Sequence, residues 1–405
     1  MTVPPLRRRE LLRLPLALCA PGAARAVAAP SGSAPLQLLR TGDIGGLPWI
    51  GLSLQGRPTR WLLDSGASAA VIAPALAQSL QLPALSPISV AMAGGVRTLP
   101  RYRLPALPGS EGAADTAADT AADTAAIALD LQPLLGEAGG HVDGVLGAPW
   151  LRERVTRFDF AAGRLQWSAA AGAVPADAAV LPLRWDQGLP VLSLRLGARD
   201  AEVFMLDTGN AGALVLFAKR ARSLRAQAPA LAPTTVRELG GTVHADFVRI
   251  ERLGAPGWVA REVPAALEAD DTPRRGLHFD RLAGSVGVAL FEPGALTLDG
   301  PGARLIVELP GLPEPAPLPG GFGFRLALDN GLRIGAVIDA SPAARAAMQP
   351  GDAVQAIDEA DARAWSPAQA WQALAGREQT ALQLYRDGGS RRVALRRERF
   401  FALLR

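Results

Sequence analysis

Two short stretches decide the fold: Trp61-Leu62-Leu63-Asp64-Ser65-Gly66 and Phe204-Met205-Leu206-Asp207-Thr208-Gly209. In each, three large apolar residues lead into an aspartate, a hydroxyl residue and a glycine. The apolar run predicts the buried end of a strand. The glycine lets the chain turn at once, so that backbone amides and the hydroxyl gather round the carboxylate. Either tripeptide alone is an ordinary turn, but the chain repeats itself on both sides of them.

Upstream, Gly46-Leu47-Pro48-Trp49-Ile50-Gly51-Leu52-Ser53-Leu54 is echoed by Gly188-Leu189-Pro190-Val191-Leu192-Ser193-Leu194-Arg195-Leu196. Both alternate like half-buried strands and turn at a glycine, Gly56 or Gly197. Downstream, Gly94-Gly95 and Gly240-Gly241 each stand between extended segments, as hairpin tips do. Asp143-Gly144-Val145-Leu146-Gly147 is then answered by Ala283-Gly284-Ser285-Val286-Gly287. Phe158-Asp159-Phe160, running on to Trp167, is answered by Leu296-Thr297-Leu298 running on to Val307. Landmarks in one order at nearly constant spacing mean duplication of one β-rich lobe. The lobes are predicted at 36–175 and 176–309, with Trp49, Trp61, Trp150 and Trp167 as core residues. The Ala-Ala-Asp-Thr repeats within 109–126 have no apolar periodicity and no counterpart in the second lobe, which predicts a surface insertion. Residues 310–319, rich in proline, predict a stiff linker.

Residues 320–399 follow another grammar. Ser341-Pro342 opens a helix, Pro350-Gly351-Asp352 makes a turn, and Pro367 stands in the first turn of a helix near Ser366 to Leu374. Asp387-Gly388-Gly389 between two alternating runs predicts a hairpin. The closing arginines (Arg391, Arg392, Arg396, Arg397 and Arg399) read as a solvated strand face.

With 405 residues, 49% of them hydrophobic and 20% charged, the chain has apolar material for several cores. No apolar run reaches the ~18 residues of a bilayer span, so no integral membrane helix is expected. The net charge of +4 resides in the first 28 residues, where Arg7, Arg8, Arg9, Arg13 and Arg25 face only Glu10. The remainder is balanced, and nucleic acid is not an expected partner. Those residues, with the apolar stretch Leu14 to Ala20 and the small-x-small Ala26-Val27-Ala28, read as an export signal over 1–28. Arg8-Arg9-Glu10-Leu11-Leu12-Arg13 resembles a twin-arginine signal; ordinary secretion is the other reading. The expected location is periplasmic or secreted. The single cysteine, Cys19, falls inside the signal, which leaves a mature chain without disulfides, thiol nucleophile or thiolate metal site. His141, His244 and His278 lack metal-ligand spacing, and no metal or cofactor is expected.

Two equivalent aspartates in a duplicated fold can meet across its pseudo-twofold axis. Two carboxylates in one site cannot both ionise cheaply, so the pair holds one proton over an acidic range. That supplies a base to activate water and an acid to polarise a carbonyl.

In these features residues 36 to 312 resemble an aspartic peptidase of the pepsin and retropepsin group, which carries Asp-[Ser/Thr]-Gly in each half and a later hydrophobic-hydrophobic-Gly crossing behind it. The resemblance implies a mainly β, two-lobed acid-protease fold acting on a peptide or protein substrate as a monomer. It implies that Asp64 and Asp207 are the catalytic pair. Ser65 and Thr208 would tie the two loops together beside Gly66 and Gly209, and Gly94, Gly95, Gly240 and Gly241 would form flap tips. No tyrosine stands near Gly94 or Gly240, so the flaps look more retroviral than pepsin-like. Asn210 stands where the first motif has Ala67, and Ser285 stands where a hydrophobic residue is expected. The last segment resembles a small α+β PDZ domain. There, Gly321-Phe322-Gly323-Phe324 looks like the carboxylate-binding loop, which implies peptide C-termini or extended segments as ligands. Two functions follow: an exported aspartic endopeptidase with PDZ-assisted recruitment, or an inactive peptide-binding protein that keeps the fold.

Overall fold

Alternating burial sets the strands of both lobes. In Leu47–Leu54 the residues Ile50, Leu52 and Leu54 point inward while Gly51 and Ser53 are exposed, and Leu189–Leu196 repeats the pattern. The computed structural model describes residues 31–40, 42, 45–92, 95–105, 125–132, 141–227, 232–238, 241–269, 281–312 and 320–404. The expected export signal, Gly94, Gly240, His278, linker residues 313–319 and all but 125–126 of the expected insertion lie outside the described residues.

The protein is mostly β. The first lobe is a sheet in the order Gln37–Leu39, Leu47–Leu54, Arg57–Asp64, Gly144–Gly147, Ala70–Ile72, Ala125–Ala128, Gly95–Arg103, Ala84–Met92. The second runs Arg184–Asp186, Leu189–Leu196, Ala201–Leu206, Gly284–Val286, Leu214–Leu216, Trp258–Glu268, Gly241–Ala255, Ala232–Glu238. The two orders correspond strand for strand, and so do the directions. Each aspartate-bearing strand runs parallel to its Gly-x-x-Gly or Gly-Ser-Val partner, which is antiparallel to the next strand.

A third sheet joins the lobes. Its order is Gly32–Pro35, Arg164–Ser168, Val155–Asp159, Ala295–Asp299, Arg304–Glu308, Ala179–Pro182, antiparallel throughout. The segments that close each lobe in sequence thus pair with each other, Phe158 opposite Leu296, and one apolar core runs through both lobes. Trp61 and Trp167 are buried in that core, Trp150 packs edge-on against Trp167 at 5.8 Å, and Trp49 is partly buried beside a smaller cluster. The sheet begins at Gly32, ahead of residue 36.

Residues 320–398 have a core of their own. Its sheet runs Phe324–Leu328, Leu332–Val337, Ala353–Ile357, Gln379–Arg386, Gly389–Arg396, with Ala360–Asp361 beside the third strand. Pro367–Leu374 starts at a capping box between Ser366 and Gln369, and Pro342–Arg345 starts at Ser341. The arginines that close the chain are not all a solvated face. Arg397 is buried, lies over Phe322 at 4.5 Å and donates to the carbonyls of Gly320, Leu374 and Arg377. Arg391 donates to the carbonyls of Ala346 and Ala347 and to Asp352. Planar guanidinium groups satisfy carbonyls that would otherwise be buried unpaired.

Candidate active site

Buried strands deliver both aspartates. Trp61, Leu63, Phe204 and Leu206 are fully buried, and the chain turns immediately after them. Behind each turn crosses the Gly-ended strand: Asp64 is in register with Gly147, and the Asp207 amide donates to the Val286 carbonyl at 2.9 Å. The crossing is close. A Cβ on Gly147 would stand 2.6 Å from the Ala67 carbonyl oxygen, and one on Gly287 would stand 2.3 Å from that of Gly212.

The hydroxyl residues lock the two turns to each other. Ser65 Oγ donates to the Leu206 carbonyl at 2.7 Å and accepts from the Thr208 amide at 3.0 Å. Thr208 Oγ1 donates to the Leu63 carbonyl at 2.7 Å and accepts from the Ser65 amide at 2.9 Å. Both side chains are buried, so the four bonds form a reciprocal clasp across the lobe boundary in which every group has its partner.

The clasp brings the carboxylates together. Asp64 and Asp207 hydrogen-bond to each other, Asp64 Oδ1 also accepts the backbone amide of Gly66 at 2.8 Å, and the Asp64 backbone carbonyl accepts the Ala67 amide at 3.2 Å. The glycines are sterically required. A Cβ on Gly66 would lie 2.6 Å from Asp207 Oδ1, and one on Gly209 would lie 2.5 Å from Asp64 Oδ1. Burial pushes the Asp64 carboxyl above its ordinary value, and this outweighs the lowering by its amide donors and by Asp207. The two carboxyls therefore titrate as a pair that shares one proton.

Each lobe also carries a hairpin. Met92 pairs with Gly95, and Glu238 pairs with Gly241. Gly95 and Gly241 thus open the return strands, while their companions Gly94 and Gly240 lie outside the described residues.

One relation escapes a reading of the sequence. Asn210 and Ser285, each a departure from the motif pattern, lie against one another: Asn210 Nδ2 donates to Ser285 Oγ at 3.4 Å, and Asn210 Oδ1 accepts the Gly212 amide at 2.9 Å. The first lobe has Ala67 and Val145 at the equivalent places, in one apolar cluster. The only sequence signal would have been the paired occurrence of two polar substitutions.

The candidate peptide loop lies on the C-terminal module. Phe322 and Phe324 are buried, 6.2 Å apart, with Phe324 stacked on Trp371 at 5.1 Å. Their rings form core, so a ligand at this loop would meet backbone. Gly323 has φ +83° and its carbonyl accepts from Ser341 Oγ, while Gly321 exchanges two backbone hydrogen bonds with Glu398. His141 contacts Asp143 at 3.0 Å on the surface, and His244 is exposed. Among the described residues no three His, Cys, Asp or Glu side chains converge as a metal site. No helix among them is long and apolar enough to cross a membrane.

An aspartyl protease family model matches residues 50–150, which take in Asp64-Ser65-Gly66 and Val145-Leu146-Gly147. No curated protein matches the chain. The match supports an aspartic protease domain and a protease-type function.

Proposed function

We propose that this aspartic protease domain works with the second lobe as an exported endopeptidase whose dyad is Asp64 and Asp207. The single observation that carries the reading is the hydrogen-bonded pair of carboxylates, one from each lobe, held by the Ser65–Thr208 clasp. In the proposed reaction the charged member of the dyad takes a proton from a water molecule as its oxygen attacks the peptide carbonyl. The protonated member gives its proton to the carbonyl oxygen, which yields a tetrahedral diol. Collapse of the diol breaks the C–N bond, the nitrogen leaves protonated, and the dyad again holds one proton. The hairpins at Gly94-Gly95 and Gly240-Gly241 would close over the peptide. The C-terminal module, read as a PDZ domain, would take extended segments or C-termini against the backbone of Gly321 to Phe324, and the periplasm or the exterior would be the place of action.

The test is hydrolysis of a peptide library by the wild type and by Asp64→Asn at several acidities. Cleavage by the wild type that survives chelators and serine-directed reagents and disappears in the variant is expected. Equal cleavage by both would remove Asp64 from the chemistry.

A further inference from the structure

The last described residues leave the C-terminal module and enter the second lobe. After Glu398 pairs with Gly321, Phe400 packs beside Gly323, where its Cζ would stand 3.1 Å from a Cβ on that glycine. The Phe400 ring lies 4.2 Å from that of Phe401, which in turn lies 5.1 Å from Phe247 of the second lobe. Arg249 then donates from its backbone amide to the Ala402 carbonyl at 2.7 Å and from Nε to the Phe401 carbonyl at 2.8 Å. Leu403–Leu404 runs parallel to Arg249 and Ile250 as an added strand, and Leu404 is buried in the same core as Val248, Ile250 and Leu253.

The added strand falls where the second lobe needs one. Gly241–Ala255, the return strand of the second hairpin, is 15 residues long, and Trp258–Glu268 covers one of its edges from Ala245 to Ala255. Along the other edge, Ala232–Glu238 covers Gly241 to Phe247, and Arg195 and Leu196 cover Gly254 and Leu253. Leu403–Leu404 fills the interval between them. Without it, Arg249 and Ile250 would lose the groups that pair with their backbone on that edge. Glu262 adds a charged pin, 2.5 Å from Arg249 and 3.7 Å from Arg399. The return strand of the first hairpin, Gly95–Arg103, has 9 residues and pairs, among the described residues, only with Ala84–Met92 and Ala125–Ala128.

We propose that the tail Arg399–Leu404 is a positioning element of the peptidase site. Phe401 and Leu404 fix the base of the second hairpin and thereby the angle at which its strands, Ala232–Glu238 and Gly241–Ala255, stand for a bound peptide. This rests on the reading of the hairpins as walls of a peptide cleft. The tail touches neither aspartate, so its effect falls on substrate binding and spares the chemistry.

The experiment compares the full chain with a chain ended after Glu398, reading KM and kcat on a short peptide and amide hydrogen exchange over 244–252. Truncation is expected to raise KM about tenfold with kcat within about twofold, and to speed exchange at Val248 to Glu251. A synthetic peptide of residues 399–405 added in trans should restore both, and a scrambled peptide should restore neither. Unchanged exchange, unchanged KM, or a fall in kcat that matches the loss of thermal stability would overturn the proposal. If the truncated chain does not fold, Phe401→Ala, which keeps the backbone pairing, is judged by the same criteria. Exchange needs no hydrolysis, so a wild type that cleaves nothing would defeat the peptidase reading and leave the tail's role to be decided by exchange and peptide rescue.

Discussion

The two lobes share eight corresponding strands, to which the second adds Leu403–Leu404, and they differ in what stands behind their aspartate loops. Behind Asp64 the neighbours are Ala67 and Val145, an apolar pair; behind Asp207 they are Asn210 and Ser285, a hydrogen-bonded one. The residues that touch the carboxylates did not diverge in this way. Gly66 and Gly209 each lie so close to the opposite aspartate that a single methyl would collide. Ser65 and Thr208 satisfy four polar groups of the two buried turns between them. Duplication thus left the backing free to change so long as both members of a contact changed together, and held the loops fixed because each is half of the other's environment.

Among changes that leave both carboxylates in place, the largest effect should come from breaking the close approach. Gly209→Ala is expected to cut peptide hydrolysis at least ~100-fold, because a small displacement of a catalytic group costs that much, while circular dichroism stays that of the wild type. Activity within a few fold of wild type would mean that the carboxylates need not stay so close. Next comes the clasp. Thr208→Val leaves the Leu63 carbonyl and the Ser65 amide buried without partners, and should lower stability by about 2–4 kcal/mol. A loss below about 0.5 kcal/mol in chemical denaturation would show that the two turns hold without it.

The difference in backing predicts a double-mutant cycle. Asn210→Ala strands the buried Ser285 hydroxyl and should cost about 1–3 kcal/mol, whereas Asn210→Ala with Ser285→Val copies the first lobe and should recover most of that loss. Additive losses would mean that the two side chains do not act as a pair.

The smallest effect separates the lobes from the C-terminal module by pH. Asp352 is buried, and burial by itself would raise its carboxyl, but Arg386, the Gln349 amide and Arg391 outweigh it and hold the group below its ordinary value of 3.8. A carboxyl depressed in the folded state contributes stability that is present in full above 3.8 and lost as pH falls through its folded value. Asp64 has the opposite sign: its raised carboxyl favours the folded state most in acid, and that contribution fades as pH rises through its folded value. Asp352→Asn should therefore lower the melting temperature of the module at neutral pH and lower it much less near pH 2. Asp64→Asn should stabilise the lobes at neutral pH and hardly at all in acid. Parallel pH profiles for the two variants would contradict this assignment.

Much of the fold was legible because it is local. Alternation gave the strands, apolar runs ending at Asp64 and Asp207 gave the buried strand ends, and repetition gave the lobes. Ser366 and Pro367 marked a helix start by capping chemistry that acts within four residues. What was not legible is pairing at long range. Nothing in Val155–Asp159 or Ala295–Asp299 names the other as its neighbour, and Leu403–Leu404 is too short to announce itself as a strand. Arg391 and Arg397 read as solvated because charge type favours water, yet their environment offers carbonyls arranged for a guanidinium. Asn210 and Ser285 each read as a departure until geometry made them one contact.

The central claim is that the second lobe, which lies beyond the residues matched by the aspartyl protease family model, supplies the other half of the site. The most direct measurement is kcat/KM for peptide hydrolysis by Asp207→Asn at the pH where the wild type is most active. Asparagine can neither take nor give the proton that the dyad shares, so a fall of at least ~1,000-fold with an unchanged fold is expected. Retention of more than about a tenth of wild-type kcat/KM would show that Asp64 works without its partner, and would contradict the account.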